Sequence, residues 1–370
     1  MKKFVFSFIL ICGALAFILS GCKGDTGPAG LAGANGTDGT DGVDGNVTCL
    51  QCHSGTVKAK INAQFAQSQH ALGDIAVAYA GGRGSCAYCH SHEGYVEWAT
   101  FGSSSDYTAP TAWKCETCHG LHQTFDSTDY AFRAGGAVTL IADGTTILDE
   151  GNNNTCINCH QFRRDRASYD GTADATFTRK FTSASDIAYY STTTAIGPAG
   201  SVTVYGTDSV VVVFDVPVAT HSYINSTHAG PHHGPQANLW SGLGGAVTGT
   251  MFNGHKGGCV ECHMDDNNHS FIPQSATCIA CHSDGTDKQG DMDDIEDRIQ
   301  DVGEALELIY AVHYSTSDGA WHPVYASLTT AQFDAFWHFM VCLEDKSNGA
   351  HNPNYVDAML DQAETALGIK

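Results

Sequence analysis

The chain has 370 residues, with 18 Lys and Arg against 40 Asp and Glu and a formal net charge of −22. An envelope this acidic repels polyanions, which argues against nucleic acid or an anionic membrane face as partners; solubility is the first explanation of the charge, and steering of basic partners or cations is the alternative. Nineteen histidines are more imidazole than a typical soluble domain has reason to hold.

In chain order, the N-terminus reads as an export signal. Lys2 and Lys3 give a positive start, residues 4–19 are nearly all apolar, and Leu19-Ser20-Gly21-Cys22 resembles a lipoprotein processing box. The run is short for a bilayer span and is followed by a cleavage-type site. The expected signal peptide is therefore 1–21, with Cys22 as a lipidated mature start; an ordinary signal peptide with a chance cysteine is the alternative. Segment 22–46 places Gly at every third position from Gly24 to Gly45, the collagen period. Eight glycines with one proline are too few for a stable triple helix, so this stretch is expected to be a flexible or extended tether.

Residues 47–160 form the first folded part and carry four copies of Cys-x-x-Cys-His. These are Cys49/Cys52/His53, Cys86/Cys89/His90, Cys115/Cys118/His119 and Cys156/Cys159/His160. Residues 61–72 have mixed helical spacing and end near His70. Residues 137–148 alternate around Ala142-Asp143-Gly144-Thr145, a hairpin signal. Segment 161–225 has no such motif and is expected to be a β-rich insertion. Within it, residues 201–220 are rich in β-branched side chains and predict two strands around Gly206-Thr207-Asp208. Residues 226–290 hold two further motifs, Cys259/Cys262/His263 and Cys278/Cys281/His282. Residues 291–370 predict a helical C-terminal part, with helices over 291–312, 331–343 and 355–367 and Pro353 at the edge of the last.

Twelve of the fifteen cysteines lie in the six motifs. Two thiols at this spacing can each add across a haem vinyl group, and the following His then binds the iron. Zinc has no need of a His directly after the second Cys, and a disulfide framework has none either. The sequence resembles the multihaem c-type cytochromes, which implies six covalently attached haem c groups with His53, His90, His119, His160, His263 and His282 as proximal ligands. About 58 residues of mature chain per haem leave little polypeptide around each large apolar ring. The expected fold is thus mostly irregular and α-helical, with short helices wrapped around a haem chain, a small β insertion and C-terminal helices. Of the other cysteines, Cys12 leaves with the signal, and Cys342 is expected to be a buried, inert thiol.

Thirteen histidines remain for the sixth iron positions. The expected distal ligands are His70, His122, His232, His255, His269 and His351. His122 follows His119 by three residues and is expected on a similar side of a helical turn, reaching a neighbouring haem. The stretch 231–281 is similar to a segment of multihaem cytochromes related to nitrite and hydroxylamine reductases, where a His after Pro, a His before the motif and a His before an aromatic-x-Pro are distal ligands. Pro231-His232, His255 and His269-Ser270-Phe271-Ile272-Pro273 match those positions. Ala350-His351-Asn352-Pro353 resembles the axial-His segment of the pentahaem nitrite reductase superfamily. His233, His228 and His92 are reserves, and His313, His322 and His338 are expected to pack in the helical tail.

Bis-His ligation predicts an electron carrier rather than an enzyme. The chain resembles outer-surface lipoprotein cytochromes of metal-reducing bacteria. That resemblance implies partners among other cytochromes or extracellular electron acceptors, a membrane attachment through the N-terminal lipid, and a place on the outer face of the outer membrane. Periplasm-facing or secreted protein is the alternative location. Two other functions stay open from sequence: a nitrite- or hydroxylamine-type multihaem reductase, and a subunit of a homo-oligomeric haem filament. Against the reductase, that family's catalytic haem commonly has Lys in place of the motif His, and all six motifs here end in His.

Overall fold

The computed structural model describes residues 50, 53–124, 126–192, 201–252, 254–255, 257–282 and 288–370. The expected signal, Cys22, the tether, Cys49 and Cys52 lie outside the described residues. Residues 46–370 belong to one compact unit.

The N-terminal part is a run of short helices: α1 (Gly55–Phe65), α2 (Gln69–Leu72), α3 (Asp74–Ala80), α4 (Gly84–His90), α5 (His92–Phe101) and α6 (Cys115–Cys118). The helix expected over 61–72 starts earlier and breaks at 66–68, where the Ser68 hydroxyl accepts the Ala71 N–H at 3.1 Å and caps a new turn. The buried apolar residues along these helices are Val77, Ala80, Ala87 and Tyr95. So few apolar contacts do not by themselves account for six ordered helices.

The predicted hairpin forms as β1 (Val138–Thr139) and β2 (Ile147–Leu148), with the Asp143 carboxylate accepting the N–H groups of Thr145 and Thr146. α7 (Asn154–Ile157) follows. The β insertion is larger than the two predicted strands. It contains β3 (Ala175–Phe181), α8 (Ala184–Thr192), β4 (Ser201–Tyr205) and β5 (Ser209–Val216), with β5 central and antiparallel to both neighbours. Val210, Val212, Phe214 and Val216 alternate inward along β5 and pack with Tyr190 of α8. β6 (His221–Ile224) then leaves the insertion to pair with β9 (Ala326–Thr329), more than a hundred residues away.

α9 (Gln236–Trp240), α10 (Gly258–His263) and α11 (Ser275–Cys281) carry the chain to the C-terminal part. There α12 (Lys288–Leu308), α13 (Thr330–Asp345) and α14 (Pro353–Leu367) enclose a conventional apolar core. α12 stops at Leu308 rather than 312. Tyr310, at φ +59°, turns the chain into a hairpin of β7 (Val312–Ser315) and β8 (Ala320–Pro323) that the sequence reading missed. α13 is buried on every face from Ala335 to Cys342, as expected of a central helix. A Thr329–Gln332 capping box starts it. Asn352 caps α14, and Pro353 opens it. Phe162, Phe333, Phe336, Trp337, Phe339 and Met359 supply the bulk of this core.

Candidate haem sites

Five motifs are described with their cysteines, and each begins on or within a short helix: α4, α6, α7, α10 and α11. Cys-x-x-Cys-His spaces the thiols at i and i+3 and the imidazole at i+4, which one helical turn brings to a common face.

The six motif histidines each meet a different second histidine. Ring centres are 5.9 Å apart for His53–His122, 6.1 Å for His160–His70, 6.0 Å for His90–His232, 6.5 Å for His119–His269, 6.2 Å for His282–His255 and 6.2 Å for His263–His351. These partners are the six residues singled out in the sequence. Their assignment to motifs is largely non-local. His255 and His269, which bracket the fifth motif, meet the sixth and third motif histidines, and the fifth meets His351 from the C-terminal part. His122 reaches its partner without a helical turn: α6 ends at Cys118, and His122 sits in a left-handed turn at φ +59°. His232 is also left-handed, at φ +77°. Such backbones are uncommon outside glycine and concentrate at functional positions.

The other ring nitrogens are held. Nδ1 of His119 meets the Tyr130 carbonyl at 2.7 Å, Nδ1 of His263 the Phe271 carbonyl at 2.8 Å, and Nδ1 of His269 the Asn267 carbonyl at 2.8 Å. Nδ1 of His160 meets Oε1 of Gln236 at 3.0 Å, and Nδ1 of His351 meets Oδ1 of Asp345 at 2.8 Å. Each acceptor fixes the proton on Nδ1 and leaves Nε2 with a lone pair. Burial also disfavours the charged form of seven of the twelve rings. It pushes His70, His90 and His232 down to about 4 and lowers His119, His160, His255 and His263. His351 goes the other way: burial opposes its charge, but the Asp345 carboxylate outweighs burial and raises it.

The donor set fits haem. Nε2 of His232 is buried without a hydrogen-bond partner, an arrangement that costs about 1–3 kcal/mol unless something binds there. Leu50 and Ile279, the apolar residues inside the first and sixth motifs, are 57 % and 62 % exposed, and Ile272 beside Phe271 is 51 % exposed. A porphyrin is a flat apolar body able to cover such surface.

The sites adjoin one another. The Cys159 thiol lies beside Cys89, and that of Cys156 beside Cys259. Cys118 lies within electrostatic range of both Cys156 and Cys159, as Cys262 does of Cys278 and Cys281. The fourth motif thus neighbours the second, third and fifth; the fifth neighbours the sixth; and His122, just beyond the third, meets the first. Phe271, which the sequence reading treated only as motif context, links three sites. Its ring lies 5.1 Å from His70 and 6.2 Å from His269, and its carbonyl holds His263. At φ +57° it is another left-handed residue.

The remaining histidines are engaged elsewhere or exposed. His92 bonds Thr117, His221 bonds Thr220, and His233 pairs with Glu344. His228 is exposed. His338 packs in the core as expected. His313 and His322 instead sit half-exposed on the β7–β8 hairpin, paired with Glu307 and Asp318, because that segment is a strand pair rather than helix. Cys342 is buried among core residues, and burial pushes its thiol up.

No protein-family model matches the chain, and no curated protein matches it. Among solved structures it is similar to the outer cell wall cytochrome OcwA, at 17 % identity and a TM-score of 0.45, over 82 % of this chain and 49 % of that one. It is also similar to the undecahaem cytochrome from the S-layer of Carboxydothermus ferrireducens, at 14 % identity and a TM-score of 0.43, over 81 % of this chain and 40 % of that one. The chain spans about half the length of the first and less of the second.

Proposed function

We propose that the chain is a hexahaem c-type cytochrome whose haems are all bis-His ligated, and that it conducts electrons outside the cell. The observation that carries this reading is the near-constant spacing of six histidine pairs. Two metal–nitrogen bonds of about 2.0 Å, with roughly 1 Å from each nitrogen to its ring centre, place opposed imidazoles about 6 Å apart. Rings that merely packed would change spacing with tilt. Here the interplanar angle runs from 26° to 89° while the spacing stays between 5.9 and 6.5 Å. Two imidazoles held by one iron would keep one spacing whatever their tilt.

Covalently held haem supplies a one-electron iron couple. The chain does the rest. Twelve cysteines would fix six porphyrins, twelve imidazoles would close both faces, and the adjoining motifs would place the groups in series. The order of contacts supports a branched path: first, third, fourth, fifth and sixth sites in line, with the second meeting the fourth. A partner for every motif His leaves no iron open for nitrite or hydroxylamine, so the electron carrier is preferred to the reductase. Lipidation at Cys22 and the glycine-repeat tether would hold the protein at the outer face of the outer membrane, to pass electrons to a partner cytochrome or an extracellular acceptor.

The test is spectroscopic. Pyridine haemochrome assay of the purified mature protein should give six haems per chain, and the ferric protein should be wholly low-spin. His232→Ala should turn about one-sixth of the iron high-spin and cyanide-binding, while His313→Ala should leave the spectrum unchanged. A high-spin fraction in the unaltered protein, or zinc in place of haem, would refute the reading.

A further inference from the structure

We infer that Asp345 is a positioning residue that holds down the reduction potential of the haem at the His263–His351 site; this rests on the bis-His reading above. Asp345 ends α13, and its side chain is 1 % exposed. One carboxylate oxygen takes the Nδ1 proton of His351 at 2.8 Å, and the other accepts the Ser347 hydroxyl. Ser347 Oγ in turn accepts the His351 backbone N–H at 3.3 Å. This closed set fixes the ring and leaves the charge of Asp345 directed at the imidazole.

The acceptors at His119, His160, His263 and His269 are neutral carbonyl or amide oxygens. A carboxylate acceptor makes an imidazole a stronger donor than a carbonyl does, which favours ferric over ferrous iron. The buried negative charge acts in the same direction, since the ferric state carries one more positive charge and the surroundings screen weakly. Reduction here adds one electron to the iron and requires no proton transfer. The fifth site lies between the fourth and sixth, so its potential sets the height of the step to the far end of the path.

Two variants separate the effect from simple structural support. Asp345→Asn keeps an acceptor oxygen and removes the charge. Ser347→Ala keeps the charge and strips a donor from it. Spectroelectrochemical titration of the intact protein should show one of six one-electron components move. In Asp345→Asn it should rise by at least tenfold in the reduction equilibrium, or 59 mV for one electron; in Ser347→Ala the same component should fall. Six low-spin haems with six unmoved components in both variants would overturn the inference and leave the bis-His reading standing. Fewer than six haems, or high-spin iron, in the unaltered protein would instead overturn that reading. If Asp345→Asn loses ligation, Ser347→Ala decides alone: a fall supports the assignment and no change ends it.

Discussion

His338 separates a structural histidine from a ligand, and acid should expose the difference. Both of its ring nitrogens are used: Nδ1 donates to the Met359 carbonyl at 3.1 Å, and Nε2 accepts the Ala246 N–H at 2.8 Å. Burial, reinforced by the charge of Arg166, lowers it to about 4. The unfolded chain takes up this proton as pH falls through about 6.5, while the folded chain resists until about 4. Stability is therefore intact at neutral pH and lost progressively across that window. At pH 5 the gap of about 1.5 units at 1.36 kcal/mol each gives a loss of about 2 kcal/mol from this residue. His338→Gln cannot bind the proton. Urea unfolding followed by far-UV circular dichroism should show the unaltered protein losing about 2 kcal/mol more than the variant between pH 7 and pH 5. The paired histidines are common to both proteins and cancel in the difference. Equal losses would refute the claim that His338 is held neutral by the core.

Three further perturbations test how packing supports the sites. A Cβ added at Gly94 would lie 2.4 Å from the Ala87 carbonyl, so Gly94→Ala should force α4 from α5, disturb His90 against His232 and raise high-spin iron by up to about one-sixth, read by electron paramagnetic resonance. Trp337 is fully buried and donates its indole N–H to the Gly244 carbonyl at 2.7 Å; Trp337→Ala should cost about 3–5 kcal/mol in urea unfolding. Arg298 joins α12 to Asp357, Asp361 and Glu364 of α14 and, against the upward push of burial, holds Glu364 low. Arg298→Ala should cost about 2 kcal/mol at pH 7, with the difference vanishing as the medium is acidified below the ordinary Glu range.

Local signals were legible and long-range ones were not. Asp143-Gly144 and Gly206-Thr207-Asp208 mark turns through their own chemistry, and both hairpins form where they predict. Ile299, Val302 and Leu306 announce the buried face of α12 by spacing alone. The β7–β8 hairpin carries its own turn signal in Asp318-Gly319, but the apolar spacing that marks the first C-terminal helix runs on to residue 312, past its end at Leu308 and into β7. Nothing in Ser222 or Leu328 says that each is the other's neighbour, because strand pairing across a hundred residues leaves no local periodicity. The histidines behave the same way. A surplus beside Pro, Phe and Asn flags His232, His269 and His351 as candidates, yet only the folded chain matches His269 with His119 and His351 with His263. Phe271 carried no signal of its own, since a left-handed aromatic residue is invisible before the backbone is known.

The motif-free C-terminal helices bear directly on the proposed haem path. His351 lies in the short link between α13 and α14, two helices of the main core. Asp345 fixes its ring from one side. On the other, the Asn352 side chain donates to the Leu239, Trp240 and Thr250 carbonyls while capping α14. The partner of the fifth motif His is thus held by the best-packed part of the protein, whereas the first motif His is met by His122 in a loop with little apolar core around it. Ligation at the fifth site should survive conditions that loosen the first. Stepwise urea should convert the His53–His122 site to high-spin iron at lower concentration than the His263–His351 site, and Asn352→Ala should narrow that gap by loosening the link. Simultaneous loss of both sites, unaffected by Asn352→Ala, would show that the core does not govern ligation at the fifth site.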